Sequence, residues 1–377
     1  MAGEFEWVET KTGCYTDGVL YSVSNTVEFL RFPPLRLIDK LRLGWTIFYS
    51  SRINNWRTLE DTPVEDFLVR HSGRRTFDEF WLPLLRSKLG ENYRHASAAF
   101  IWAIIQRLYA ARRTGLKKEM FGYVRGGYAR ILDQFASVLD DGGVHTRLGS
   151  RVESISATGS GVRVTLAGEV LDFDNVVVTT AAPIASRLIE GLTDDERSRM
   201  DGIEYQGIVC ASVLLDRPLT EFYVTNITDD WVPFTGVIGM SSLVDTREFG
   251  GRDLVYLPKY TTQDDPIKDM TDDAIEEQFI DTLERMYPHF DRSHVVEFKI
   301  SRVKYVLPLS TLGYSRRVPH QATSVPGVYA VNSSHILNGT LNVNETVQLA
   351  ERAMPMLLRS SEGPSTTKPE PDLREAT

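Results

Sequence analysis

The chain has 377 residues, 42% of them hydrophobic, with 42 Lys and Arg against 51 Asp and Glu and so a formal charge of −9. That is enough apolar material for a buried core and a length suited to two or three domains, and it excludes disorder of the whole. The acidic balance, without a basic stripe interleaved with aromatics, argues against nucleic-acid binding, and two lone cysteines, Cys14 and Cys210, make neither a disulfide framework nor a metal pair, which fits a reducing, cytosolic setting. The opening residues lack the basic and apolar regions of a signal peptide. The longest apolar run, Ala96 to Ile105, falls far short of the ~20 residues a spanning helix requires.

In chain order, residues 7–23 alternate about Asp17-Gly18 and predict a hairpin, set apart as an N-terminal piece over 1–24. Residues 25–119 carry apolar residues at helical spacing, broken by Pro33-Pro34 and Pro63, and predict several short helices. Thr62-Pro63-Val64-Glu65 reads as a capped helix start. Within 30–48, Arg36 and Lys40 share one face while Leu37, Leu41, Trp45 and Phe48 share another. The expectation is that this apolar stripe packs against its own domain, although a helix of this composition also suits an anionic membrane or a lipid-linked substrate.

Gly126-Gly127 precedes a predicted helix over 128–139. Runs at 151–157, 162–166 and 169–173 alternate as a meander. Val176 to Val178 and Gly327 to Val331 read as strands buried on both faces, too apolar to stand alone, and therefore expected to share a sheet. Residues 203–260 and 294–318 are strand-rich, 272–287 and 344–358 are helical, and 360–377 read as a disordered tail.

No GxGxxG follows a strand and no GxxxxGK occurs, so a backbone approach to a pyrophosphate has no glycine turn to use. Gly122, Gly126 and Gly127 have the wrong spacing and read as a turn. His289 and His294 lack metalloprotease order. Ser333-Ser334 lacks an acid partner and a GxSxG elbow. The four Asn-x-Ser/Thr matches, at Asn226, Asn332, Asn338 and Asn344, are chance matches without a signal peptide.

The order of elements, together with Phe32-Pro33-Pro34-Leu35, the segment from Pro83 to Gly90, Tyr205 to Cys210, Leu215 to Leu219, Pro233 to Ile238, Thr311 to Tyr314 and Pro326 to Tyr329, resembles the flavin amine oxidase superfamily. Within it, the protoporphyrinogen-oxidase-like and UDP-galactopyranose-mutase-like enzymes are the most similar. The resemblance implies an α/β (α+β) chain with an incomplete Rossmann-like FAD-binding domain (125–202 and 319–359) and a mixed helical and sheet substrate domain (25–124 and 203–318). It implies an FAD-dependent oxidoreductase acting on a glycan precursor, an isoprenoid or a lipid-linked small molecule.

Two departures bear on FAD. The first residues already match the region after the superfamily's glycine-rich βαβ unit, which is expected to be absent here, to be encoded upstream, or to come from another polypeptide. The turn into the last helix places Thr340, Leu341 and Asn342 on the family's acidic-basic-glycine step, and the Asn342 side chain fills space a diphosphate needs. A flavin-free descendant, acting as a non-redox enzyme or a ligand- or partner-binding protein, is therefore the competing reading, and the chain alone is expected to hold FAD weakly or not at all.

By the resemblance, Lys88, Tyr305 and Tyr314 are candidate catalytic residues, and Arg86, Arg316 and Arg317 candidate substrate-binding residues. Val152, Asn332, Asn342 and Asn344 are candidate cofactor contacts. His335 lies on the cofactor-side loop and is the histidine worth testing, against the plainer reading of a structural residue. Lys88, Tyr305, Tyr314 and Arg317 are expected to converge on one pocket between the two domains, for an anionic substrate. The sheet edge left by the missing unit is expected to be covered by self-association or a partner.

Overall fold

The computed structural model describes residues 4–112, 120–262, 264–337 and 341–361. The chain begins with β1 (Phe5–Glu9), β2 (Thr12–Thr16) and β3 (Val19–Ser22), then enters a helical block of α1 (Thr26–Arg31), α2 (Leu37–Ser51), α3 (Val64–Ser72), α4 (Arg74–Thr76), α5 (Leu82–Leu89) and α6 (Ala98–Arg112). Next come β4 (Met120–Val124), α7 (Gly127–Asp141), β5 (Val152–Ala157), β6 (Val162–Leu166), β7 (Glu169–Phe173), β8 (Val176–Val178), α8 (Ala182–Leu188) and α9 (Asp194–Asp201). The remainder is β9 (Tyr205–Leu215), β10 (Val224–Ile227), β11 (Gly236–Gly239), β12 (Asp253–Thr261), α10 (Asp272–Met286), β13 (Val295–Pro308), β14 (Val328–Ala330) and α11 (Val343–Ser361). Two compact units result, one within 1–148, 204–316 and 337–340, the other within 149–203, 317–336 and 341–377. The stretch 125–148, expected with the cofactor-type domain, groups with the first unit. Most of the tail expected after residue 360 lies outside the described residues, as does Thr340. No helix among the described residues is long and apolar enough to cross a membrane.

The first unit is organised by a seven-stranded sheet of order β13-β9-β12-β11-β10-β2-β3. Asp17 (φ 53°) and Gly18 (φ 74°) make the tight turn that the Asp-Gly pair predicts. Asp229 holds it by accepting from both amides at 2.7 and 2.9 Å. The hairpin is not a separate piece: β2 pairs in parallel with β10 and so joins the sheet. Nor does it begin at residue 7, because Phe5–Glu9 leaves it to pair with β4, Trp7 facing Gly122.

Along β9, Val209, Ala211, Val213 and Leu215 are buried on one face, as the period of two requires. They meet α10, whose Ile275, Phe279 and Leu283 are fully buried. That helix starts where Thr271 Oγ1 accepts from the Ala274 amide, with Asp272 and Asp273 favourable in its first turn.

The helical block packs around Leu68, Phe77 and Leu89. Thr62 does not cap α3. Pro63 occupies the cap position without a side-chain bond, and the Val64 amide is satisfied by the Ala96 carbonyl at 3.0 Å. α2 is the larger surprise, because its apolar stripe faces outward: Leu37 is 65% exposed, Leu41 61%, Trp45 54% and Phe48 44%. The inward face is Asp39, Lys40, Leu43, Thr46 and Ser50. It is polar but largely satisfied: Thr46 and Ser72 hydroxyls meet at 2.7 Å, Lys40 Nζ donates to Leu30 O at 2.8 Å, and Asp39 pairs with Arg75 at 3.6 Å. α7 is likewise amphipathic and buries none of its residues.

In the second unit, β5, β6 and β7 form the expected meander. β8 and β14 share a sheet as expected, paired in parallel with Val328 opposite Val176. β8 is not buried on both faces, since Val177 remains 40% exposed, whereas β14 buries Val328 and Ala330 and also pairs with the 321–323 segment, the Ala330 amide donating to Gln321 O at 2.8 Å.

Candidate functional site

The face of the seven-stranded sheet turned away from α10 carries Gln206, Ile208, Cys210 and Ser212 on β9, by strand alternation. Register brings Pro258 opposite Cys210, Tyr256 opposite Ser212 and Tyr260 opposite Ile208. Over this end of the sheet lies the last turn of α5, tied down where Thr235 Oγ1 donates to Ser87 O at 2.9 Å. Lys88 follows Ser87, and its Nζ stands 5.9 Å from the Tyr260 ring centroid.

Among the described residues, no carboxylate pairs with the half-buried Lys88 ammonium. Burial pushes its pKa down and the charge of Arg107, on α6, pushes it further the same way. The Tyr260 hydroxyl is pushed up by burial and, less, by Cys210. Burial also pushes the Cys210 thiol up to about 11, which leaves it protonated and unreactive near neutral pH. Gln206 is fully buried, and neither polar atom of its carboxamide has a partner among the described residues. The arrangement offers a desolvated cation, a tyrosine face and an apolar floor: groups suited to hold an anion attached to an apolar or planar body.

The other residues singled out from sequence are placed elsewhere. Arg86 pairs with Glu91 at 2.9 Å, and Arg316 is engaged by Asp61 on the surface. Tyr305 packs edge-on against Tyr205 at 5.4 Å. Tyr314 is only 3% exposed, in a turn clamped by Glu60, which accepts from the Ser315 amide at 2.8 Å and its hydroxyl at 2.6 Å. Lys88 meets the Tyr260 ring, Tyr305 meets Tyr205, and Arg317 belongs to the second unit.

In the second unit, Asn332 follows β14 and is 5% exposed. Its Oδ1 accepts from the Ser334 amide and hydroxyl, and its Nδ2 has no partner among the described residues. His335 is held by backbone groups: Nδ1 lies 3.2 Å from both the Asn332 amide and the Asn332 carbonyl, Nε2 lies 3.1 Å from Pro319 O, and burial pushes the imidazole pKa down. Asn342 caps α11, its Oδ1 accepting from the Glu345 amide at 3.0 Å. Asn344 is exposed in the first turn of that helix, beside Glu345. Val152 opens β5 opposite Leu166. In the first unit, the Gly126 amide at the start of α7 donates to Glu248 at 3.0 Å, so this glycine pair serves a left-handed turn and an internal carboxylate.

Tyr260, Tyr256, Cys210, Gln206 and Arg107 are not singled out from sequence as site residues. The interleaving of Gln206, Cys210 and Ser212 with Val209, Ala211 and Val213 is the signal that marks a polar sheet face. Which face lies open depends on pairing with β12, more than forty positions away.

Comparison with known proteins bears on this geometry. The model of the family described as flavin containing amine oxidoreductase matches residues 8–353. No curated protein matches the sequence significantly. Among solved structures, one assigned as a protoporphyrinogen oxidase from Exiguobacterium sp. 255-15 aligns with a TM-score of 0.70 and 14% identity, over 96% of this chain and 82% of that one. A reduced UDP-galactopyranose mutase aligns at 0.68 and 14%, over 95% and 81%. A putrescine oxidase double mutant aligns at 0.69 and 14%, over 94% and 83%. At such identities the likeness is one of fold.

Proposed function

The chain belongs to the flavin containing amine oxidoreductase family, and from that membership we propose an oxidoreductase whose first unit binds an anionic small molecule on the open face of its seven-stranded sheet. Glycan precursors, isoprenoids and other lipid-linked molecules are the class that fits. Lys88 carries the reading. A half-buried ammonium repelled by Arg107 and lacking a carboxylate is a cost to the fold unless an anion arrives to compensate it. The Tyr260 face and the Ile208 and Cys210 floor suit the body attached to that anion.

In this family the flavin is the redox group. The described residues do not fit a dinucleotide diphosphate, whose charges need backbone N–H groups converging at a helix start. At α11 one of those amides is taken by the Asn342 carboxamide and Glu345 adds a negative charge. At α7 the first glycine amide is taken by Glu248. The diphosphate therefore finds no cradle among the described residues. The capped start of α11 is also what favours the second reading, a flavin-free descendant that keeps the substrate face.

Calorimetric titration of the full chain with UDP-galactose and with farnesyl diphosphate tests the substrate face. One of the two is expected to bind saturably at one site, more weakly as salt is added. Absence of binding by both removes the reading.

A further inference from the structure

We propose that the outer face of α1 and α2 docks on a bilayer bearing anionic headgroups. Isolated exposed apolar residues are ordinary, but a contiguous stripe on one helix is not. At 100° per residue, Leu37, Ile38, Leu41, Trp45, Phe48 and Tyr49 fall on about a third of the circumference of α2, and each is exposed. The complementary arc holds the buried polar residues already described. The helix is thus fixed by its polar side, with hydroxyl and carbonyl partners, and its apolar side is left outward. α1 adds Val27 (55% exposed) and Leu30 (49%) next to it in sequence.

Charge selects the occupant. Exposed Arg31, Arg36, Arg42, Arg52 and Arg57 border this stretch, whereas of its two acids Asp39 is 2% exposed and paired with Arg75, and Glu28 is partly buried and accepts from the Ser22 hydroxyl and the Ser24 amide. A chain with a net charge of −9 has concentrated cations beside its most apolar surface helix, which suits anionic lipid. The aromatics agree: Trp45 stacks with Tyr49 at 6.3 Å, and the Arg52 guanidinium lies over the Phe48 ring at 4.9 Å. Trp, Tyr and Arg combine apolar bodies with polar ends and settle at the headgroup level. Because no described helix is long and apolar enough to span, the contact is interfacial, with α2 lying in the plane of the surface. The inference stands apart from the Lys88 site, which is on the sheet.

Flotation of the full chain with phosphatidylcholine vesicles containing about a third phosphatidylserine, at low ionic strength, is the test. The protein is expected to float with these vesicles and to stay below with pure phosphatidylcholine. A triple Leu41→Ser, Trp45→Ser, Phe48→Ser variant and a separate Arg36→Glu, Arg52→Glu variant should each lower the bound fraction about tenfold or more. All five side chains are exposed, so circular dichroism and melting should match the parent. The proposal fails if the parent does not float with the anionic vesicles, or if both variants float as it does. It also fails if the triple variant instead dissolves a dimer, which would assign the face to a second copy of the chain.

Discussion

Replacing Lys88 by methionine should weaken binding of the diphosphate ligand about tenfold to a hundredfold, the range expected for loss of one charge-assisted contact, and should leave unfolding stability unchanged or raised. The asymmetry follows from the site. In the free protein Lys88 has no carboxylate to lose, and methionine keeps the apolar stem that packs near Tyr260. In the complex the ammonium supplies the attraction. Its pKa is depressed by burial first and Arg107 second, so the charged form is disfavoured in the fold. An anion stabilises that form, and binding takes up a proton near the depressed pKa. Affinity should therefore be greatest below that pKa and fall as pH rises through it. In Lys88→Arg the falling limb should move to higher pH, since guanidinium keeps its charge. Calorimetric titrations across pH check this. Equal affinity of parent and Lys88→Met would detach the site from Lys88.

The second large effect lies beneath the sheet. Phe279→Ala should cost about 3–5 kcal/mol, the usual range for removing a fully buried phenylalanine, read as a lower midpoint in urea unfolding. Phe279 is fully buried on α10 and meets the Phe234 ring edge-on at 5.1 Å, so truncation removes both burial and a ring contact. Such a loss is a large part of the stability of an ordinary domain. Because β9 carries the site on one face and this core on the other, ligand binding should decline together with the folded fraction. A change below about 1 kcal/mol would mean that the site can collapse around the cavity.

Much of the architecture follows local rules, and those parts were legible. Asp17-Gly18 specifies its turn, the meander alternates with period two, and α10 and α11 carry helical spacing. The strands at 176–178 and 328–330 are apolar enough to demand a common sheet. Residues that depend on distant partners were not legible. β1 and β4 pair across more than a hundred positions, and the parallel pairing of β2 with β10 converts an apparent N-terminal piece into part of the main sheet. α2 shows the limit of periodicity. The spacing gives an amphipathic helix correctly, but which side faces in was decided by Ser72, Leu30 O and Arg75, partners found only in the fold. Of the proposed site, Lys88 is singled out through the family resemblance, whereas Tyr260 and Gln206 depend on sheet register. Arg86 and Arg316 look equally suitable in sequence, and the fold gives each an exposed carboxylate partner, Glu91 and Asp61, that sequence does not reveal.

The central claim is that this chain keeps a substrate face but holds no diphosphate cradle among its described residues. Its most direct test is the flavin content of the 377-residue chain expressed alone, incubated with excess FAD and passed through gel filtration. The account predicts a protein peak that is folded by circular dichroism and has essentially no flavin absorbance. A peak carrying one FAD per chain would contradict it, because the Asn342 cap and the Gly126–Glu248 contact would then have to yield to the diphosphate.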